Sequence, residues 1–326
     1  MKVLVTGAGG FIGGHLVNRL INDGKSVVAV DIKPLASWYQ VNKNAQNLIH
    51  DLSQLNSCQE VTSSVDYVYN LAADMGGMGF IEKNKALCML SSLINTHLLL
   101  ASKDNNVKRY FFSSSACVYA SWHQKNFSQN PLKETDAYPA DPEDGYGWEK
   151  LFSERMCKHF EEDFGISVRI ARFHNIYGPY GTYSGGREKA PAAACRKVIE
   201  CVESSFSKPI KIWGDGKQIR SFTYISDCID GICKIMESDF ADPLNLGSSE
   251  ITSIENLYRK VIEISAANTE LIDFEYELEA PKGVNGRSSD NALIKKVLGW
   301  EPSISLESGL RSTFEWIKTD MKNKQL

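Results

Sequence analysis

Along the first 172 residues, short apolar runs alternate with longer stretches whose apolar positions recur every three or four residues. Val3–Thr6, Ser26–Asp31, Tyr67–Leu71, Tyr110–Ser113 and Val168–Arg172 read as strands, because they are short, nearly unbroken apolar runs rich in β-branched and aromatic residues. Phe11–Asp23, Asn84–Asp104 and Gly147–Phe164 carry the helical period. This order predicts an α/β fold: a Rossmann-type doubly wound parallel sheet whose ligand lies at the carboxyl ends of the strands. Beyond Asn175 the pattern shifts to loops rich in Gly, Pro and Tyr, a helix over Ala190–Cys201, a strand near Lys211–Trp213 and several shorter elements. Residues 1–174 are therefore expected to form a Rossmann domain. Residues 175–326 are expected to form mainly a smaller C-terminal α/β substrate lobe, from which segments can return to the first domain.

Composition narrows the partners. The 326 residues include 36 basic and 40 acidic side chains, a formal charge of −4, with no basic block of the kind that binds nucleic acid or an anionic membrane. Any positive site must be local. No apolar run approaches the roughly 18 residues of a membrane span. The opening Lys2–Gly7 runs into a glycine loop rather than a cleavage site, so a cytoplasmic protein is expected. The eight cysteines form no Cys-x-x-Cys pair and no Cys/His cluster of zinc spacing, so no metal is expected and all but Cys117 read as reduced core thiols.

Gly7-Ala8-Gly9-Gly10-Phe11-Ile12-Gly13 follows the first strand and opens the first helix. Gly7, Gly10 and Gly13 let the backbone approach a pyrophosphate, and the amides of Phe11, Ile12 and Gly13, with the helix dipole, stabilise its charge. Asp31, at the end of the second strand, suits ribose hydroxyls and repels a 2′-phosphate, favouring NAD over NADP. Asp51 is placed to accept from the adenine amino group, or else simply forms a turn.

Tyr146 and Lys150 lie four apart and so share a helix face. A neighbouring ammonium lowers the cost of a phenolate, so Tyr146 can take the proton of a sugar hydroxyl held by Ser115 while a hydride leaves its carbon. Such a Tyr-x-x-x-Lys is common on ordinary helices. Here it comes after the glycine loop, Asp31 and the serine run, in the order of the extended sugar-nucleotide branch of the short-chain dehydrogenase/reductases, which the chain resembles. Two residues past Ser115 stands Cys117, where dehydratases of that branch carry acidic groups. A thiol lowered by neighbouring positive charge can remove a carbon-bound proton made acidic by an adjacent ketone; a buried small hydrophobe is the alternative.

A wider resemblance rests on six segments: Asn70-Leu71-Ala72-Ala73-Asp74-Met75-Gly76-Gly77-Met78-Gly79-Phe80, Ser115-Ala116-Cys117-Val118-Tyr119, Arg172-Phe173-His174-Asn175-Ile176-Tyr177-Gly178-Pro179, Gly185-Gly186-Arg187-Glu188-Lys189-Ala190-Pro191, Gln218-Ile219-Arg220-Ser221-Phe222 and Gly286-Arg287-Ser288-Ser289-Asp290-Asn291. Across nearly its whole length the chain resembles the GDP-mannose 3,5-epimerase family. The resemblance implies Tyr146 as the redox base, Cys117 as general base, Lys189 as general acid, and tightly bound, recycled NAD. It implies a GDP-sugar substrate, epimerised at C3 and C5 to GDP-L-galactose, with GDP-L-gulose as a single-site product. Substrate contacts are implied for Gly76, Gly77, Ser115, Cys117, Asn175, Glu188, Lys189, Ala190, Lys197, Gln218 and Ser221, with Arg220 and Arg287 against the phosphates. A homodimer through the helices around Asn84–Asp104 and Gly147–Phe164 is implied as well. The chain departs from the family pattern at Trp148 and over Glu203–Lys211. Another GDP-sugar such as a heptose, inversion of a single centre, and a catalytically silent NAD-binding regulator remain open.

Overall fold

The computed structural model describes residues 1–125, 130–267, 271–281 and 283–325. In the first half, β1 (Lys2–Thr6), α1 (Phe11–Asn22), β2 (Ser26–Asp31), β3 (Gln46–Ile49), α2 (Leu55–Thr62) and β4 (Tyr67–Asn70) are followed by α3 (Met78–Lys83), α4 (Lys85–Asp104), β5 (Arg109–Ser115), α5 (Tyr146–Phe164) and β6 (Ser167–Phe173). The second half comprises β7 (Ile176–Tyr177), α6 (Ala190–Glu203), β8 (Ile210–Trp213), β9 (Ile219–Ser221), β10 (Thr223–Tyr224), α7 (Ile225–Glu237) and β11 (Leu244–Leu246). It ends with β12 (Ile251–Ser253), α8 (Ile254–Ser265), β13 (Phe274–Glu277), β14 (Gly286–Arg287), α9 (Ala292–Leu298) and α10 (Leu306–Gln325).

A seven-stranded parallel sheet runs in the order β11-β6-β5-β4-β1-β2-β3. Its outer strand β11 comes from the second half and pairs with β6, Asn245 opposite Arg172. Strand order reverses between β1 and β4, where Thr6 lies opposite Asn70, and this switch point opens a crevice at the carboxyl ends. One face of the sheet buries Leu4, Val28, Val68 and Phe112 with residues of α2, α4 and α5; the other buries Val3, Val5, Ala29 and Phe111 with residues of α1 and α7. A separate core joins α6, α8, α10 and β8 through Cys195, Val198, Ile212, Leu257, Val261 and Phe314.

Helix α4 corrects one expectation. Its 20 residues are long and apolar enough, by length and composition, to cross a membrane. Here it packs on α2 and α5, burying Cys88, Leu98 and Leu99. All eight cysteines are free and buried, and among the described residues no His, Cys, Asp and Glu cluster could hold a metal.

Candidate active site

The β1–α1 turn is built for close approach. Gly7 has φ of +66°, and a Cβ on Gly13 would stand 2.1 Å from Gly7 O, so only glycine lets the helix start against the strand. No side chain caps α1, which leaves the first-turn amides of Phe11, Ile12 and Gly13 to a ligand. Asp31 is buried at the end of β2 and accepts from Gly9 N and Lys33 N, each at 3.0 Å. Asp51 is exposed and accepts from Ser53 N at 2.9 Å, the turn-forming arrangement.

At the end of β5, Ser115 Oγ accepts from Cys117 N at 3.2 Å and hydrogen-bonds the Tyr146 phenol. The chain between them is anchored twice: Glu143 N donates to Cys117 O at 3.0 Å, and a Cβ on Gly147 would lie 2.4 Å from that same carbonyl. Gly147, inside Tyr-x-x-x-Lys, therefore lets α5 begin directly on Cys117. Lys150 Nζ lies 5.6 Å from the Tyr146 ring centroid, 4.7 Å from that of Phe112 and 3.6 Å from Glu149 Oε2. Burial, followed by the charges of Cys117 and Glu149, raises the Tyr146 pKa well above its ordinary value, outweighing the Ser115 hydrogen bond. The spacing of Tyr146 and Lys150 points to a lowered phenol, and the protein environment alone does not supply one.

Cys117 needs the same correction. Burial, then Glu143, pushes its pKa up to about 11, although Arg287 acts to lower it. Arg287, expected against the phosphates, is engaged by three side chains of the protein itself. Its Nη1 points to Cys117 Sγ at 3.5 Å, Nη2 to Glu143 Oε1 at 2.7 Å and Nε to Gln124 Oε1 at 2.6 Å. Glu143 and Gln124 escaped the sequence reading because their partner lies more than 140 positions away, a separation with no local pattern.

The two glycine-rich motifs of the lobe entrance meet at Gly77. Its amide donates to Arg187 O at 3.0 Å, and a Cβ there would lie 2.4 Å from Glu188 O. Arg187, absent from the sequence-derived set, lies 3.7 Å from the Phe80 ring centroid and donates to Asp74 Oδ1 and Met75 O. Gly76 packs on Phe80, where a Cβ would meet the side chain at 2.8 Å. Lys189 caps α6 ahead of Ala190. Burial lowers its pKa, as does Arg287, while Cys117 raises it, so its ammonium shares one electrostatic neighbourhood with the thiol. Glu188 is held by Gly186 N and Arg196.

Asn175, at φ of +44°, donates to Ser221 O at 3.1 Å. Ser221 Oγ and Gln218 Oε1 are buried without a hydrogen-bond partner, the condition of groups awaiting a polar ligand. Arg220, between them in the chain, donates to Ile219 O at 2.8 Å and to Val284 O at 2.6 Å; burial, then Arg287, lowers its pKa to about 10, which leaves it cationic at neutral pH. Lys197 is further out and donates to Lys211 O at 2.6 Å.

The profile of the NAD dependent epimerase/dehydratase family matches residues 3–247. The chain belongs to that family. It is 43% identical over all 326 residues to GDP-mannose 3,5-epimerase of Arabidopsis thaliana, covering 84% of that protein. It is 29% identical to UDP-glucuronic acid decarboxylase 1 of the same plant, over 95% of this chain and 68% of that one. Among solved structures, UDP-glucose 4-epimerase of Thermotoga maritima, with UDP-glucose, superposes at a TM-score of 0.84 with 25% identity, covering 98% of this chain and all of that one. UDP-glucuronic acid 4-epimerase of Bacillus cereus, with UDP-glucuronic acid and NAD, gives 0.81 and 28%, covering 98% and 99%. NAD is the cofactor of this epimerase family, and the residues present fit it: a glycine turn of the required closeness, uncapped amides at the head of α1, and a buried carboxylate at the end of β2.

Proposed function

We propose that this epimerase acts on GDP-mannose, inverting C3 and C5 to give GDP-L-galactose, with GDP-L-gulose as the single-site product. The observation that carries the reading is a thiol and an ammonium, Cys117 and Lys189, in one electrostatic neighbourhood beside the Ser115–Tyr146 centre. Inversion needs two proton carriers, because a single base returning its own proton would restore the original centre. The 43% identity along the whole chain supports the GDP-mannose assignment.

Residues 1–174 hold NAD, with the amides behind Gly7, Gly10 and Gly13 at the pyrophosphate, Asp31 at the ribose, Asp51 at the adenine, and Tyr146 and Lys150 at the nicotinamide end. Residues 175–326 mainly hold the GDP-sugar. Bound NAD supplies reversible hydride acceptance at C4, with no net redox change. Ser115 holds the C4 oxygen by a hydrogen bond, and Tyr146 takes and later returns its proton. The C4 ketone acidifies both neighbouring carbons; Cys117 removes the proton from one face and Lys189 delivers one to the other. Gly76, Gly77 and the Glu188–Ala190 backbone line the sugar. Asn175, Lys197, Gln218, Arg220 and Ser221 take the diphosphate side, Arg220 presenting the charge that suits phosphate oxygens.

The working form is a homodimer through α4 and α5, whose outer faces expose Leu87, Leu90, Trp148 and Phe152. Eight free, buried thiols accord with a cytoplasmic, reducing compartment. Incubation with GDP-mannose and NAD in deuterated water, followed by NMR, tests the reaction. Label at C3 and C5 with GDP-L-galactose formed is the expected result. Label at one carbon reduces the enzyme to a single-centre epimerase. No label transfers the mechanism to another GDP-sugar such as a heptose, and NAD binding without turnover on any of them leaves a silent regulator.

A further inference from the structure

Glu143, three residues before Tyr146, is joined to Cys117 by backbone and side chain alike. Its amide donates to Cys117 O at 3.0 Å, and Oε1 accepts from Arg287 Nη2 at 2.7 Å. The other oxygen, Oε2, is buried without a hydrogen-bond partner within ordinary reach. Arg287 also points Nη1 at Cys117 Sγ from 3.5 Å, so the carboxylate and the thiol share one guanidinium. Burial opposes the charged form of Glu143, but Arg287, with the neighbouring thiol, outweighs it and holds the carboxyl below its ordinary range.

We infer that Glu143 Oε2 accepts the Cys117 proton when the thiol becomes the base: the S–H bond breaks, an O–H bond forms on the carboxyl group, and thiolate, carboxylic acid and guanidinium remain. The inference rests on Cys117 being the carbon base. It makes Glu143 a positioning residue, acting on substrate only through the thiol.

The argument is one of charge. Releasing the Cys117 proton to water would put a second anion beside Glu143, with Arg287 the guanidinium bonded to both, in a site where unpaired charge is costly. Moving the proton to Glu143 leaves the number of charges unchanged. The surrounding groups do not substitute for it. Arg220 on β9 is a cation and takes no proton from a thiol, and Lys189 ahead of α6 has to keep its own proton to serve as the general acid. Tyr146 on α5 is itself opposed by the thiolate and by Glu149, and Cys88 on α4 opposes it too. Ser115 offers only a neutral hydroxyl.

Two measurements test this. In the protein without sugar, the ultraviolet thiolate absorbance that distinguishes wild type from Cys117→Ser reports ionisation of this thiol. Glu143→Gln keeps the shape and removes the charge, so ionisation should fall from about 11 by about one pH unit or more, a tenfold rise in thiolate. An unchanged titration overturns the coupling. With GDP-mannose in deuterated water, label entry in wild type should be nearly flat with pH between titration of the carboxyl group and of the thiol, because the proton stays inside the pair. In Glu143→Gln it should climb about tenfold per pH unit towards the thiol pKa. Glu143→Asp, which keeps an acceptor, should restore the flat profile. A wild-type rate that itself climbs tenfold per unit overturns the inference and needs no variant that folds. If no label enters at any pH, the sugar assignment fails, while the thiol titration still decides the role of Glu143.

Discussion

His174 is fully buried just past the end of β6, with Nε2 2.8 Å from Asn245 Oδ1 and Nδ1 without a partner. Burial holds its pKa down to about 3 against the pull of Asn245, and Arg287 and Arg172 push the same way as burial. Unfolded, the ring titrates near its ordinary value of about 6.5. Stability from the neutral ring is thus fully present above that pH and is lost as pH falls towards the folded value, since the unfolded chain binds a proton the folded one refuses. The slope is about 1.4 kcal/mol per pH unit, or about 2 kcal/mol by pH 5. Denaturant melts of wild type and His174→Gln between pH 7 and pH 5 should show the slope reduced in the variant by that amount; parallel curves would refute it. The order of motifs along the sequence singles out Tyr146, Lys150 and Cys117 as candidates, and the family resemblance adds Lys189. The proton affinities of Tyr146, Cys117 and Lys189 are not legible there, because burial and long-range partners such as Arg287 decide these, and neither leaves a mark in residue spacing.

Gly147 shows how an element sets the site. Replacing a glycine in a helix interior with alanine ordinarily stabilises the helix by up to about 1 kcal/mol, and Gly147, in the first turn of α5, would share part of that gain. At Gly147 the added Cβ would stand 2.4 Å from the carbonyl of Cys117, a backbone atom that cannot swing aside, so α5 must retreat from the segment that carries the thiol. Gly147→Ala should therefore lower stability by about 1–3 kcal/mol despite its better propensity. It should also cut turnover by at least about tenfold through the displaced Tyr146. A melting temperature equal to or above wild type would reject this packing. Helices α1, α4, α5 and α6 could be read within a residue or two, and so could the long strands, since burial on both faces of the sheet imposes unbroken apolar runs; α7, α8 and α10 were not assigned from the sequence. Strand β11 could not: Leu244–Leu246 is three residues behind Pro243, too short to show a period, and its place beside β6 follows only from the tertiary fold. The two-residue strands β7, β10 and β14 are hidden for the same reason.

For the whole molecule, the unresolved matter is what covers the outer faces of α4 and α5. Leu87, Met89, Leu90 and Leu93 on α4 are 42–56% exposed, and Trp148 and Phe152 on the neighbouring helix are 45% and 55% exposed. Scattered exposed leucines need no explanation, but a contiguous set on two packed helices does. A membrane would have to receive a helix whose other face is already buried against α2 and α5, with Lys103 and Asp104 closing its end. A second copy instead offers the same two helices, and a twofold axis lets each apolar stripe cover its equivalent. Leu90 is 56% exposed, so Leu90→Glu leaves the packing of the single chain intact while placing a charge in the middle of that contact. Light scattering at micromolar concentration should give twice the chain mass for wild type and the single-chain mass for the variant, with the circular dichroism of the two alike. Equal masses for both would remove the α4–α5 dimer. Because α5 also carries Tyr146 and Lys150, separation should reduce turnover more than it changes the substrate KM, which ties assembly to the chemical step.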